Sequence, residues 1–138
     1  MDKRLIEAIG SGDLVLDLGC GSGDILKDLS GRFERRIGVD ISRRRLNEMA
    51  GGEIDGWEFR EADLNRPFPL ESEIADAVVA NQVIEHIIDP AGFVREIHRI
   101  LLPYGHTIWF RDPGKLIDFP SQIVHGSTVR FEGEPCSG

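Results

Sequence analysis

The chain has 138 residues, room for one domain and hardly two. It carries 16 Lys and Arg against 24 Asp and Glu, a net charge of −8, which disfavours a broad phosphate-binding surface and, unless a local basic patch overrides it, argues against nucleic acid as a partner. Cys20 and Cys136 make neither a disulfide framework nor a zinc site, no metal site is expected, and no apolar stretch is long enough to span a membrane. The first residues lack the apolar run of a signal peptide, so a cytoplasmic protein with no membrane partner is expected.

Taken in order, Leu5, Ile6, Ala8 and Ile9 share one face of a short helix that Gly10 to Asp13 breaks. Leu14, Val15, Leu16 and Leu18 then form an apolar run of the kind buried on both faces of a parallel sheet, interrupted by Asp17. Gly19, Gly21 and Gly23 follow at alternate positions. Ile25, Leu26 and Leu29 recur at helical spacing, with Gly31 able to close that helix. Strand, glycine loop and helix open a nucleotide-binding α/β unit. A dinucleotide fingerprint would place its last glycine at position 24, which is Asp24, and the Gly-Lys-Ser/Thr of a P-loop is absent. Asp17 and Asp24 would repel a pyrophosphate, so a ligand with a cation and no phosphate fits better.

After a charged connection over residues 32–36, residues 37–41 read as a second strand ending at Asp40. Ser42 suits the N-cap of a helix over 43–50 with Leu46 and Met49 inward. Asp40 lies 21 residues beyond Gly19, near the spacing at which an acidic residue accepts hydrogen bonds from ribose. Arg43, Arg44 and Arg45, with Arg35 and Arg36, read as a solvated basic face. Gly51 and Gly52 end the helix, and Trp57 to Arg60 alternate like an outer strand. Pro67 and Pro69 mark a loop from which Phe68 and Leu70 fold back on the core. Residues 74–80 form the next buried strand. Asp89 and Pro90 start an amphipathic helix carrying Phe93, Val94, Ile97, Ile100 and Leu101. Pro103 to Gly105 end it, and residues 107–110 form the fifth strand. From Arg111 the pattern fades, giving a domain over 1–112 and an irregular tail over 113–138 in which 115–124 and 127–131 can form short elements.

The stretch Leu-Val-Leu-Asp-Leu-Gly-Cys-Gly-Ser-Gly-Asp-Ile over residues 14–25 closely resembles the first motif of the class I S-adenosylmethionine-dependent methyltransferases. Glu85 and His86, after the fourth strand, resemble a Glu-His pair of the small-molecule branch of that family. The resemblance covers about residues 12–110. At 101–105 the family's usual Leu-Lys-Pro-Gly-Gly is Leu-Leu-Pro-Tyr-Gly. It implies an α/β fold: a Rossmann-like three-layer sandwich with a parallel sheet of order 3-2-1-4-5, its usual C-terminal antiparallel strands missing or reduced. The cofactor implied is S-adenosylmethionine, leaving S-adenosylhomocysteine. By resemblance, Asp17, Gly19, Cys20, Gly21 and Gly23 surround its methionine part, and Asp40 and Ile41 take the ribose side. Asp63 accepts from the adenine amine while the Leu64 N–H meets a ring nitrogen, and the backbone of Asn81 and Gln82 meets the methionine end.

The activity implied is methyl transfer to an unidentified small-molecule acceptor. Two rivals stand beside it: a non-catalytic cofactor-binding or regulatory partner protein, and a nicotinamide-dependent oxidoreductase. His86 suits a general base by its ordinary pKa of about 6.5, or it hydrogen-bonds within its loop and keeps it in shape, the reading slightly preferred. The fifth strand, with Ile108, Trp109 and Phe110, needs its edge covered. Either residues 127–131 fold back on it or a second copy pairs as a homodimer through this edge or the tail, and the second is the expectation.

Overall fold

The structure, a computed structural model, describes residues 3–21, 23–50, 56–81, 83–111 and 127–132. Its elements in order are α1 (Lys3–Ile9), β1 (Gly12–Leu18), α2 (Asp24–Asp28), β2 (Phe33–Asp40), α3 (Arg43–Ala50), β3 (Trp57–Glu61), β4 (Ala75–Asn81), a 3-10 turn (Ile84–His86), α4 (Pro90–Ile100), β5 (Leu101–Arg111) and β6 (Ser127–Glu132). One sheet runs β3-β2-β1-β4-β5-β6, and every neighbouring pair is parallel. The expected order is found, and the order reverses between β1 and β4.

Alternation along the strands sorts the core into two layers. Leu14, Leu16 and Leu18 of β1, with Ile37 and Val39 of β2, pack with Phe93, Val94, Ile97 and Ile100 of α4. Val15, Ala77 and Val79 pack on the other face with Ile9 of α1, Leu26 and Leu29 near α2, and Leu46 of α3. Fully burying a leucine or valine is worth about 1.5–3 kcal/mol, so the central strands are the firmest part of the domain. By the same alternation Asp17, Asp40 and Asn81 fall on the α1–α3 face, at the carboxyl ends of their strands.

Four local expectations change. Residues 33–36 are not a connection: β2 begins at Phe33 because it pairs with β1 from Gly12 onward. Its Arg36 is buried, donates from Nη1 to the Leu26 carbonyl at 2.7 Å, and lies 5.0 Å from the centre of the Trp57 ring. α2 ends at Asp28, short of Gly31. There is no gap between α4 and β5: Leu101 already pairs with Ala75, and the register shifts over residues 102–105 before His106 resumes the ladder opposite Ala77. A run that starts a strand, bulges, then continues is what Pro103 permits at a site where no ladder N–H is needed.

The fourth change concerns the edge of β5. Residues 127–132, within the stretch expected to be irregular, form β6, which pairs with β5 from His106↔Ser127 to Arg111↔Glu132. The folded-back strand is the outcome found, and the β5 edge is not open to a second copy. Gly51, Gly52, Cys136 and the helical possibility over 115–124 lie outside the described residues. Among the described residues no helix is long and apolar enough to cross a membrane.

Candidate functional site

The glycine loop leaves β1 and turns at once toward β2. The N–H groups of Gly19 and Cys20 both donate to the Val39 carbonyl, at 2.7 and 3.0 Å. Gly19 has φ +75°, and a Cβ there would fall 2.6 Å from Val83 Cγ2, so both conformation and space require glycine. The Cys20 thiol packs behind the loop, where Gly38 allows a close approach: a Cβ on Gly38 would sit 2.8 Å from Cys20 Sγ. Burial, helped by Asp17 and Asp40, holds that thiol well above its usual range, so it stays protonated and inert. Gly21 is different. A Cβ on it would enter open space whose nearest atom is Arg45 Nη1, at 3.9 Å.

Asp40 is the anchor of this loop. Its Oδ2 accepts from the Gly21 N–H at 2.9 Å and its Oδ1 from the Ser42 N–H at 2.8 Å. One carboxylate thus ties the glycine loop to the first turn of α3, and it still has lone pairs for a further donor. Asp17, only 1% exposed, has an Oδ1 with no hydrogen-bond partner. Burial pushes its pKa up to about 8, with the nearby Asp40 carboxylate adding to the effect. Two more buried oxygens lack donors among the described residues: Asn81 Oδ1 at the end of β4, and Glu85 Oε1 on the turn that follows. A buried polar atom left unpaired costs about 1–3 kcal/mol, so three at one end of a sheet mark a place built for donors brought by a ligand. The sequence reading gives Glu85 no such role, because only burial distinguishes it from any solvated glutamate.

The remaining expected residues gather on the same side. Asp63 accepts from the Asn65 N–H at 2.9 Å and keeps a long 3.8 Å ion pair with Arg66. Leu64 packs against the core and Ile41 is 68% exposed beside Asp40, an apolar side chain presented to solvent. Asn65 Oδ1 accepts from the Ile88 N–H at 2.8 Å, strapping the β3–β4 loop to the segment after β4. His86 donates its backbone N–H to the Val83 carbonyl, while its exposed ring makes no hydrogen bond among the described residues. Gln82 lies outside the described residues. Among the described residues no His, Cys, Asp or Glu cluster could hold a metal ion.

A crevice at the reversal of strand order, with a glycine loop on one wall and carboxylates from β1, β2 and the β3–β4 loop, is a cofactor site by architecture. Residues 16–109 match the model of the methyltransferase domain family. The chain belongs to the S-adenosylmethionine-dependent methyltransferases. An S-adenosylmethionine-dependent methyltransferase from Mesorhizobium loti shares the fold with a TM-score of 0.71 and 25% identity, over 80% of this chain and 53% of that one. A ubiquinone biosynthesis O-methyltransferase from Alkalilimnicola ehrlichii is 29% identical over 109 residues, 71% of this chain and 41% of the relative. An uncharacterised 37.1 kDa protein of transposon Tn4556 from Streptomyces fradiae is 32% identical over 126 residues, 86% of this chain and 36% of the relative. The chain therefore spans about 36–43% of the length of the curated relatives it matches.

The cofactor of this family fits the residues present. Its ammonium brings three N–H donors and its sulfonium a positive charge, to an end of the sheet where Asp17, Asn81 and Glu85 have unpaired buried oxygens. The open space over Gly21 leaves room for it against bare backbone.

Proposed function

We propose that the chain binds S-adenosylmethionine across the carboxyl ends of β1, β2 and β4 and directs its methyl group to a small-molecule acceptor. The observation that carries this reading is the trio of buried, unpaired oxygens, Asp17 Oδ1, Asn81 Oδ1 and Glu85 Oε1. A phosphate-bearing dinucleotide would meet acceptors where it needs donors, so the nicotinamide alternative loses support. Asp40 takes a ribose hydroxyl, and Asp63 with the Leu64 N–H takes the adenine edge.

When bound, S-adenosylmethionine supplies an electrophilic methyl group on a positively charged sulfur. The chain's part is alignment and exclusion of water, which can lower the barrier by about 7–11 kcal/mol. His86 is the base: its ring is exposed on the turn after β4 and is not spent on a loop hydrogen bond. It takes the proton of the acceptor hydroxyl or amine as the new bond to carbon forms. The exposed Ile88, two residues on, offers apolar surface beside it, which suits an acceptor with an apolar body.

Calorimetry with S-adenosylmethionine should show one-to-one saturable binding, and neither heat nor thermal shift at millimolar cofactor would sink the reading. Turnover is then measured with labelled cofactor and a panel of small hydroxylated acceptors. His86→Ala should lower it about 10²–10⁴-fold with cofactor affinity unchanged. Binding without turnover of any acceptor would favour the non-catalytic reading.

A further inference from the structure

The three consecutive arginines of α3 do three different things. Arg43 pairs with Glu61 through Nε at 2.7 Å, and Arg44 pairs with Glu48 one turn on at 3.3 Å. Arg45 has no carboxylate partner among the described residues. Its guanidinium instead borders the open space over Gly21, with Nη1 3.9 Å from where a Cβ on Gly21 would be. Its charge is felt by the Cys20 thiol behind the loop. Its backbone is fixed: the Arg45 N–H donates to Ser42 Oγ at 3.3 Å, and the Ser42 N–H to Asp40 Oδ1. Asp40 and Arg45 are thus held by the same turn, and both come close to Gly21.

We infer that Arg45 is a second ribose-binding residue, donating across Gly21 to the hydroxyl that Asp40 accepts from. This rests on the cofactor reading above. Chemistry asks for such a partner. A carboxylate only accepts, so a ribose hydroxyl that donates to Asp40 keeps its own lone pairs facing outward. A guanidinium only donates, and it stays charged at any working pH. The pair also leaves the space near Asp40 less negative than Asp17, Asp24 and Asp40 alone would make it. Arg45 is thereby set apart from the solvated basic face to which the sequence assigns it.

Binding of S-adenosylhomocysteine and of 5′-methylthioadenosine, which keeps the ribose and lacks the amino-acid part, tests this by calorimetry. Arg45→Met retains the apolar stem and removes the donors; it should weaken both ligands by a similar factor, about 5- to 30-fold. Arg45→Lys, which can still donate, should recover most of the loss, and Arg44→Ala should bind like wild type. Weakening confined to S-adenosylhomocysteine would assign Arg45 to the amino-acid carboxylate and overturn the inference. So would Arg45→Lys as weak as Arg45→Met, which indicates stacking on the base, or Arg45→Met equal to wild type. Wild type that binds neither ligand removes the cofactor reading itself, a result distinct from a wild type that binds and a variant that matches it.

Discussion

Asp17 sits where its charge is unfavourable until a cation arrives. Its folded pKa, about 8, is above the ordinary 3.8, so between those values the folded chain holds a proton that the unfolded chain has lost. Stability from this group is therefore greatest below about pH 4 and falls as pH rises toward 8. Ligand-free protein should melt a few degrees lower at pH 8.5 than at pH 6, and Asp17→Asn should flatten that part of the profile. The same variant should bind S-adenosylmethionine more weakly, and wild-type binding should tighten with rising pH as the carboxylate ionises. A pH profile of Tm that is unchanged by Asp17→Asn would show that Asp17 is already ionised in the free protein. Asp40 and Glu85 teach a related lesson. One carboxylate accepts a backbone N–H on each oxygen, shapes the loop and keeps lone pairs for a further donor; the other has a buried oxygen with no donor at all.

At the scale of elements, the edges decide most. β6 covers β5 over residues 106–111 and is then the sheet's outer strand. Ending the chain at Gly126 removes that cover. The shortened protein should self-associate with rising concentration in sedimentation experiments under conditions where the full chain does not. If the two behave alike, the β5 edge is protected by something other than β6. On the opposite layer the loop between β3 and β4 takes the place of a helix, held by two side chains of α4, Glu96, which accepts from the Phe68 N–H at 2.8 Å, and Arg99. Arg99 donates to the Phe68 and Leu70 carbonyls and to Ser72 Oγ, and pairs with Glu96 at 2.7 Å. That fastening keeps Phe68 edge-on to Phe93, 5.6 Å between ring centres, and so steadies the loop that carries Asp63, the residue proposed to meet the adenine edge.

For the molecule as a whole, the net charge of −8 favours a cationic ligand. S-adenosylmethionine is positive overall and S-adenosylhomocysteine is neutral. Raising salt from 20 to 500 mM should weaken the first about threefold and the second hardly at all, since screening acts on the long-range part of the field. Equal salt sensitivity would mean that the site's own buried contacts, and not the global field, set the preference.

The strand order was implied by the resemblance to the family and is found, while the strands, the glycine loop and the acidic strand ends were legible in the chain because each rests on a local signal. These are the apolar run ending at Asp17 and the alternating glycines, and then the acidic residues at Asp40 and Asp63. Strand periodicity and turn chemistry act over a few residues, so a sequence displays them. What only the tertiary structure decided depends on partners far apart in the chain. Arg32 to Arg36 look like a polar connection until Trp57 and the Leu26 carbonyl come together around Arg36. Residues 127–132 look like tail until β5 offers them a ladder. Three like arginines become two surface ion pairs and one guanidinium over Gly21, because the helix turns each to a different neighbour. Composition and spacing state which groups a chain owns; burial and the meeting of distant segments decide which of them are left without a partner, and those are the ones a ligand must satisfy.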